Sequence, residues 1–183
     1  NISLTMLPVI IKDEEVFLFS ENFFFNNWLK TQNQIKNNTD ILITYNLALE
    51  NIEDFQFIIS NKENLESIDI KNLTSFDDQQ NFVFLIVYSS DNNLKAYMKI
   101  YIENKRIDKN LNLNVYPNFE TKTYEEAITT IKQEINQIWK SQNLIDVNTP
   151  TFLDLFLEIK KTNDYLKLSK IFDSIDLIEN YSV

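Results

Sequence analysis

Phe82-Val83-Phe84-Leu85-Ile86-Val87-Tyr88 is an unbroken apolar run of seven residues. A run of that length, rich in β-branched and aromatic side chains, reads as a strand covered on both faces and therefore as the centre of a sheet. It is too short to span a membrane. Ser89-Ser90-Asp91-Asn92-Asn93 follows with turn chemistry. Beyond it Leu94, Ala96, Met98, Ile100 and Ile102 alternate with Lys95, Tyr97, Lys99 and Tyr101. After another break, Leu111, Leu113 and Val115 alternate with Asn112, Asn114 and Tyr116. Strict alternation is the mark of a half-buried strand with one wet face, so the three segments predict an antiparallel meander.

Upstream, Leu4 to Ile11 and Val16 to Phe19 read as a hairpin around Lys12-Asp13-Glu14-Glu15. A short helix is expected from the Asn22 to Trp28 stretch to about Asn33, and a buried strand at Ile41 to Tyr45. Asn51 can cap a helix to about Ile59, with Glu53 and Asp54 in the first turn, where the helix dipole favours anions. Another short helix is expected at Leu65 to Leu73. Downstream, Thr123 and Glu126 have capping-box spacing. From there Tyr124, Ala127, Ile128, Ile131, Ile135, Ile138 and Trp139 form one apolar stripe at helical spacing. Pro150 breaks the pattern, and the rest reads β-α-β: Leu153 to Ile159, Asp164 to Phe172, Leu177 to Val183.

These elements predict an α+β fold. A mixed or mainly antiparallel sheet carries helices packed on one face and is followed by a β-α-β unit. The division falls at residues 1–147 and 148–183, the latter read as the start of a truncated second domain. A first residue other than Met and a last strand with an open edge predict chain before Asn1 and beyond Val183.

Composition removes whole classes of chemistry. The 183 residues contain no Gly, no Cys and no His. Dinucleotide and phosphate loops and the nucleophile elbow need Gly, so they are absent. The serine triad with histidine, cysteine nucleophiles and the ordinary zinc, haem and iron–sulfur ligand sets go with His and Cys. The reading is therefore no cofactor, no metal and no catalytic residue. The net charge of −10 and the single arginine, Arg106, argue against nucleic acid and against an anionic membrane surface. The many Lys, Asn, Ile, Phe and Tyr residues reflect AT-rich codons, and Asn is expected to fill left-handed turn positions in place of Gly.

Residues 1–145 resemble domain-of-unknown-function family 2066, an uncharacterised proteobacterial family. The resemblance rests on Leu7-Pro8-Val9-Ile10 before a hairpin, on Asn22 followed by Trp28, on Leu49-Glu50-Asn51-Ile52-Glu53-Asp54, and on a long helix ending in Trp139 after the meander. The β-α-β tail fits the region that follows in that family. Two positions depart from the pattern: the Asp13-Glu14 region replaces a Gly, and Phe23 replaces a Pro. The resemblance implies an exported, periplasmic protein and carries over no catalytic residue; the composition adds that the source is an AT-rich bacterium. The order of the first elements is similar, more distantly, to the amino-terminal domain of TolB-type proteins and to curli-secretion domains, a likeness of fold alone.

Candidate sites follow from residue type. Tyr97, Tyr101 and Tyr116, with Lys95, Lys99, Asn112 and Asn114, could grip a polar partner or sugar, or form an ordinary sheet face, wet or covered by the long helix. Phe23, Phe24, Phe25 and Trp28 cannot all point inward from one regular element, so an interface residue or a core plug is expected there. Asp13-Glu14-Glu15 and Asp77-Asp78 read as turns rather than as cation sites. Ser89-Ser90 reads as a hairpin loop, although Lys95 and Lys99 could serve a serine as base, and Arg106 is expected in the connection between strands.

By subtraction and resemblance, the expected function is a non-enzymatic exported module that binds or scaffolds an envelope protein or component. The alternatives are a hydrolase using Asp/Glu or Ser/Lys chemistry, and a cytosolic interaction protein.

Overall fold

A computed structural model describes residues 2–30, 43–77, 79–90, 92–118, 120–143 and 162–172, and in the last segment the side chains of 167–172 alone. The chain divides into two compact units, residues 1–144 and 145–183.

The first unit is built on one mixed six-stranded sheet. Strand β1 (Ile2–Lys12) turns tightly into β2 (Glu15–Phe17). The turn places Asp13 and Glu14 at φ of 50° and 66°. Helix α1 (Phe23–Asn27), strand β3 (Ile43–Leu47) and helix α2 (Ile52–Ser60) follow. Then come three 3-10 turns: Lys62–Ser67, Ile70–Asn72 and Thr74–Phe76. Strands β4 (Phe82–Ser90), β5 (Asn93–Ile102) and β6 (Lys105–Leu113) form the antiparallel meander that the sequence predicts. The order is β2-β1-β4-β5-β6. β1 runs parallel to β4, and β3 runs parallel to the first half of β1. The unit closes on the 24-residue helix α3 (Glu120–Asn143). The chain is α+β, with a mixed sheet.

Residues of β1 and β4 alternate between two cores. Leu4, Met6, Ile10, Val83, Leu85 and Val87 meet α1 and α3, where Ile128, Ile131 and Ile135 are fully buried. Each such side chain contributes about 1.5–3 kcal/mol. Leu7, Val9, Phe84 and Ile86 meet Ile58 of α2 and Leu65, Ile70, Leu73 and Phe76 of the 3-10 turns. Helical segments therefore cover both faces, which corrects the expectation that they pack on one. The alternation in β5 predicts one wet face, yet Tyr97 and Lys99 lie beneath the turns, Lys99 only 1% exposed. A lysine can be buried this way because its aliphatic stem packs like a hydrocarbon and its amine finds a carbonyl.

Three local expectations also change. The helix foreseen at Leu65 to Leu73 is a run of 3-10 turns, with Asn64 outside helical geometry at φ −137°. Thr123 lies inside α3 rather than capping it, and its hydroxyl accepts from the Tyr116 amide at 3.0 Å. Left-handed positions do fall on Asn104 and Asn118, but also on Asp13, Glu14, Phe19 and Glu103. Among the described residues no helix is long and apolar enough to cross a membrane. In the second unit, helix α4 (Thr162–Phe172) matches the expected tail helix, and the segments expected as strands, Leu153 to Ile159 and Leu177 to Val183, lie outside the described residues.

Candidate functional site

Tyr97, Lys99 and Tyr101 of the tyrosine and lysine face are tied into a network with β6, Phe82 and the 3-10 turns. Across the register, Lys99 sits between Phe84 and Asp108, and Tyr101 between Phe82 and Arg106. Arg106 lies on β6, not in the connection, which is Glu103-Asn104. Its guanidinium grips Asp108 through two bonds, Nε to Oδ1 at 2.8 Å and Nη2 to Oδ2 at 2.6 Å. The Tyr97 hydroxyl donates to Asp108 Oδ2 at 3.0 Å. These bonds, the Arg106 bond first, hold the Asp108 carboxyl below its usual range. Lys99 Nζ donates to the Ile68 carbonyl at 2.7 Å, and burial lowers its amine below the ordinary lysine value. Tyr101 stacks on Phe82 at 4.6 Å, and Phe82 stacks on Phe76 at 4.3 Å. Tyr116 is not part of this face: its hydroxyl donates to Glu126 of α3. Lys95, Asn112 and Asn114 are exposed.

The aromatic run is mostly a plug. Phe24 and Trp28 are fully buried, and Phe23 and Phe25 are half-buried. Asn22 positions them. Its side chain accepts from the amides of Phe24 (2.8 Å) and Phe25 (3.2 Å) and donates to the carbonyls of Pro8 (2.9 Å) and Phe17 (3.1 Å). The Trp28 ring meets Tyr45 edge-on at 5.6 Å. Lys132 of α3 lies over both rings, at 5.1 and 5.3 Å, and donates to the Trp28 carbonyl. Burial lowers the Lys132 pKa to about 8.

Among the described residues neither Ser89 nor Ser90 bonds a lysine. Ser89 bonds the Tyr124 hydroxyl at 2.9 Å on the α3 side of the sheet, whereas Lys99 reaches Ile68 on the other. Among the described residues no three acidic side chains gather in a metal-holding group.

The surface that sequence reasoning missed is the outer side of α2. Leu49, Ile52, Phe55 and Ile59 are 84%, 68%, 39% and 38% exposed. The opposite side of the helix buries Asp54 and Ile58. Asp54 fixes the helix in place. Its carboxylate accepts from the Thr74 amide (2.7 Å) and hydroxyl (3.0 Å), from the Ser75 amide (3.0 Å) and hydroxyl, and from Asn51 Nδ2 (3.0 Å). Burial alone would raise its pKa, but these bonds outweigh it and the carboxyl lies below its usual range. The rotation of α2 is thus set by a buried acid, which leaves a helix rich in apolar residues with three of them facing out. The sequence signal was available: Ile52, Phe55, Phe57, Ile58 and Ile59 go almost all the way round a nine-residue helix.

Next to Leu49 a cleft of about 500 Å³ opens between the end of β3 and the Thr74–Phe76 turn. Thr5, Asn46, Glu50, Asn51, Ser75 and Gln79 contribute to its wall. The chain matches no protein-family model, no curated protein and no solved structure.

Proposed function

We propose that the chain is a non-enzymatic binding module whose partner is a protein or component of the cell envelope. One observation carries the reading: α2 turns Ile52, Phe55 and Ile59 to solvent beside an exposed Leu49, while its other side is locked into the core. Contiguous exposed apolar residues on a fixed element are characteristic of interaction sites. The polar groups that could have formed a reactive centre are instead used in packing: Asp54 anchors Thr74 and Ser75, Lys99 holds Ile68, and Arg106 holds Asp108. An exported, periplasmic setting for this binding is part of the same proposal and rests only on the short sequence motifs that resemble family 2066.

The test is cross-linked capture from the native envelope fraction with the wild-type chain and with an Ile52→Lys/Phe55→Lys variant. Both positions are exposed, so the two substitutions together should change stability by about 1 kcal/mol or less. A stoichiometric partner recovered by the wild type and lost by the variant is the expected result. Equal recovery by both would move the interface away from α2, and no specific partner for either would end the binding reading.

A further inference from the structure

Charge decides what kind of surface can cover α2. The apolar stripe of Leu49, Ile52, Phe55 and Ile59 is bordered by Glu50 and Glu53, both exposed, and α2 carries no lysine or arginine. The whole chain has a net charge of −10. An isologous contact with a second copy would bring this acidic border against itself, which opposes association. A layer of anionic headgroups would meet the same repulsion.

The cleft beside Leu49 sharpens the point. Its other polar side chains already have partners within the fold. Thr5 donates to Gln79 at 2.7 Å, and Asn46 donates to Ser3 at 2.7 Å. Asn51 bonds Asp54 and Ser75, and Thr74 and Ser75 bond Asp54. Glu50 is different: among the described residues it makes neither a hydrogen bond nor an ion pair. A solvent-exposed carboxylate with no hydrogen bond or ion pair among the described residues therefore lines a cleft that shares Leu49 with the apolar stripe. The complement of that arrangement is a lysine or arginine, its aliphatic stem along Leu49 and its head at Glu50. Apolar side chains would follow it over Ile52 to Ile59, a span of about 10 Å at the helical rise.

We propose that this surface takes a basic, apolar peptide segment of a partner protein, with one cationic side chain entering the cleft at Glu50. The inference rests on the binding reading above and adds the chemistry of the occupant.

The experiment is selection of a displayed random linear peptide library on the immobilised full chain. The enriched peptides are then titrated by fluorescence anisotropy against wild type, Glu50→Lys and Ile52→Lys/Phe55→Lys, with circular dichroism confirming that each variant folds. The expected peptides combine Lys or Arg with apolar residues. They should weaken about tenfold or more with either variant, and weaken with added salt. Neutral or acidic peptides that lose affinity for the double variant but not for Glu50→Lys overturn the cationic occupant and leave the binding face standing. Peptides indifferent to the double variant, or no enriched peptide, overturn both readings. Self-association of the wild type that the double variant abolishes replaces the partner with a second copy and overturns the proposal.

Discussion

The two faces of the sheet are closed in different ways. On one, α3 lays a continuous stripe of Tyr124, Ala127, Ile128, Ile131 and Ile135 across β1, β4 and β5, with Phe24 and Trp28 filling the end. On the other, a nine-residue helix and three 3-10 turns do the same work in short pieces. Short pieces cannot be held by a long apolar stripe, so polar latches supplement the packing. Asp54 binds the Thr74–Phe76 turn, and Lys99 binds Ile68. Volume dominates the first face, and buried hydrogen bonds fix the geometry of the second. The latched face is also the one that presents the exposed stripe of α2, because the side of the helix that carries Asp54 and Ile58 is turned inward.

The largest expected effect tests the volume-dominated face. Trp28→Ala removes the largest fully buried side chain and should cost about 3–5 kcal/mol in urea unfolding. A loss below about 1 kcal/mol would mean that Phe24 and Tyr45 collapse into the space and that packing there is not limiting.

The second tests a latch. Asp54→Ala leaves the Thr74 and Ser75 donors without their acceptor and should cost about 2–4 kcal/mol. The Asp54 carboxyl lies below the ordinary value of 3.8, so the unfolded chain takes up its proton first. Its stabilisation is complete above 3.8 and is lost as the pH falls through the lower folded-state value. Unfolding measured down the acid limb should show that loss in the wild type and a flatter slope in Asp54→Ala. Parallel slopes would remove Asp54 as the source of the acid sensitivity.

The smallest effect compares the buried lysine of each face. Lys132 sits over Trp28 and Tyr45, and burial lowers it from 10.5 to about 8. Between those values the unfolded chain binds more protons than the folded one, so stability rises with pH, by about 1–3 kcal/mol over that window. Burial raises Tyr45 above its ordinary value of 10.0, which works in the opposite sense at higher pH, because the unfolded tyrosine ionises first. From these two groups stability should therefore stop rising just above pH 10, between their unfolded-state values of 10.0 and 10.5. Lys132→Met should remove the rising limb. Lys99→Met should leave most of it, since Asp108, Asp69 and Glu66 act against the lowering of Lys99. A rising limb that survives Lys132→Met would place its origin elsewhere.

The strands and the long helix were legible because their signals are local and repeated. The seven apolar residues from Phe82 to Tyr88 lie within the central β4, and the alternation from Leu94 to Ile102 matches β5. Asn51 caps α2 as its type suggests, accepting from the Asp54 amide at 2.7 Å. What could not be read were pairings between distant residues. The Asp54 bonds to Thr74 and Ser75 span 20 and 21 positions, and the Lys99 bond to Ile68 spans 31. The candidate residues failed to form one surface for the same reason. Tyr97 and Tyr101 share a covered sheet face, Tyr116 is tied to α3, and Phe24 and Trp28 belong to the opposite core.

The sequence by itself determined the meander, the stripe of α3 and the loss of glycine-, histidine- and cysteine-dependent chemistry, because periodicity and residue type carry that information without reference to distant contacts. Only the tertiary structure decided that both sheet faces are covered, that Tyr97 and Lys99 lie beneath the 3-10 turns, and that Leu49, Ile52, Phe55 and Ile59 are turned outward. Exposure is a property of what packs over a residue. For α2 that was settled by one buried carboxylate and the turn it holds.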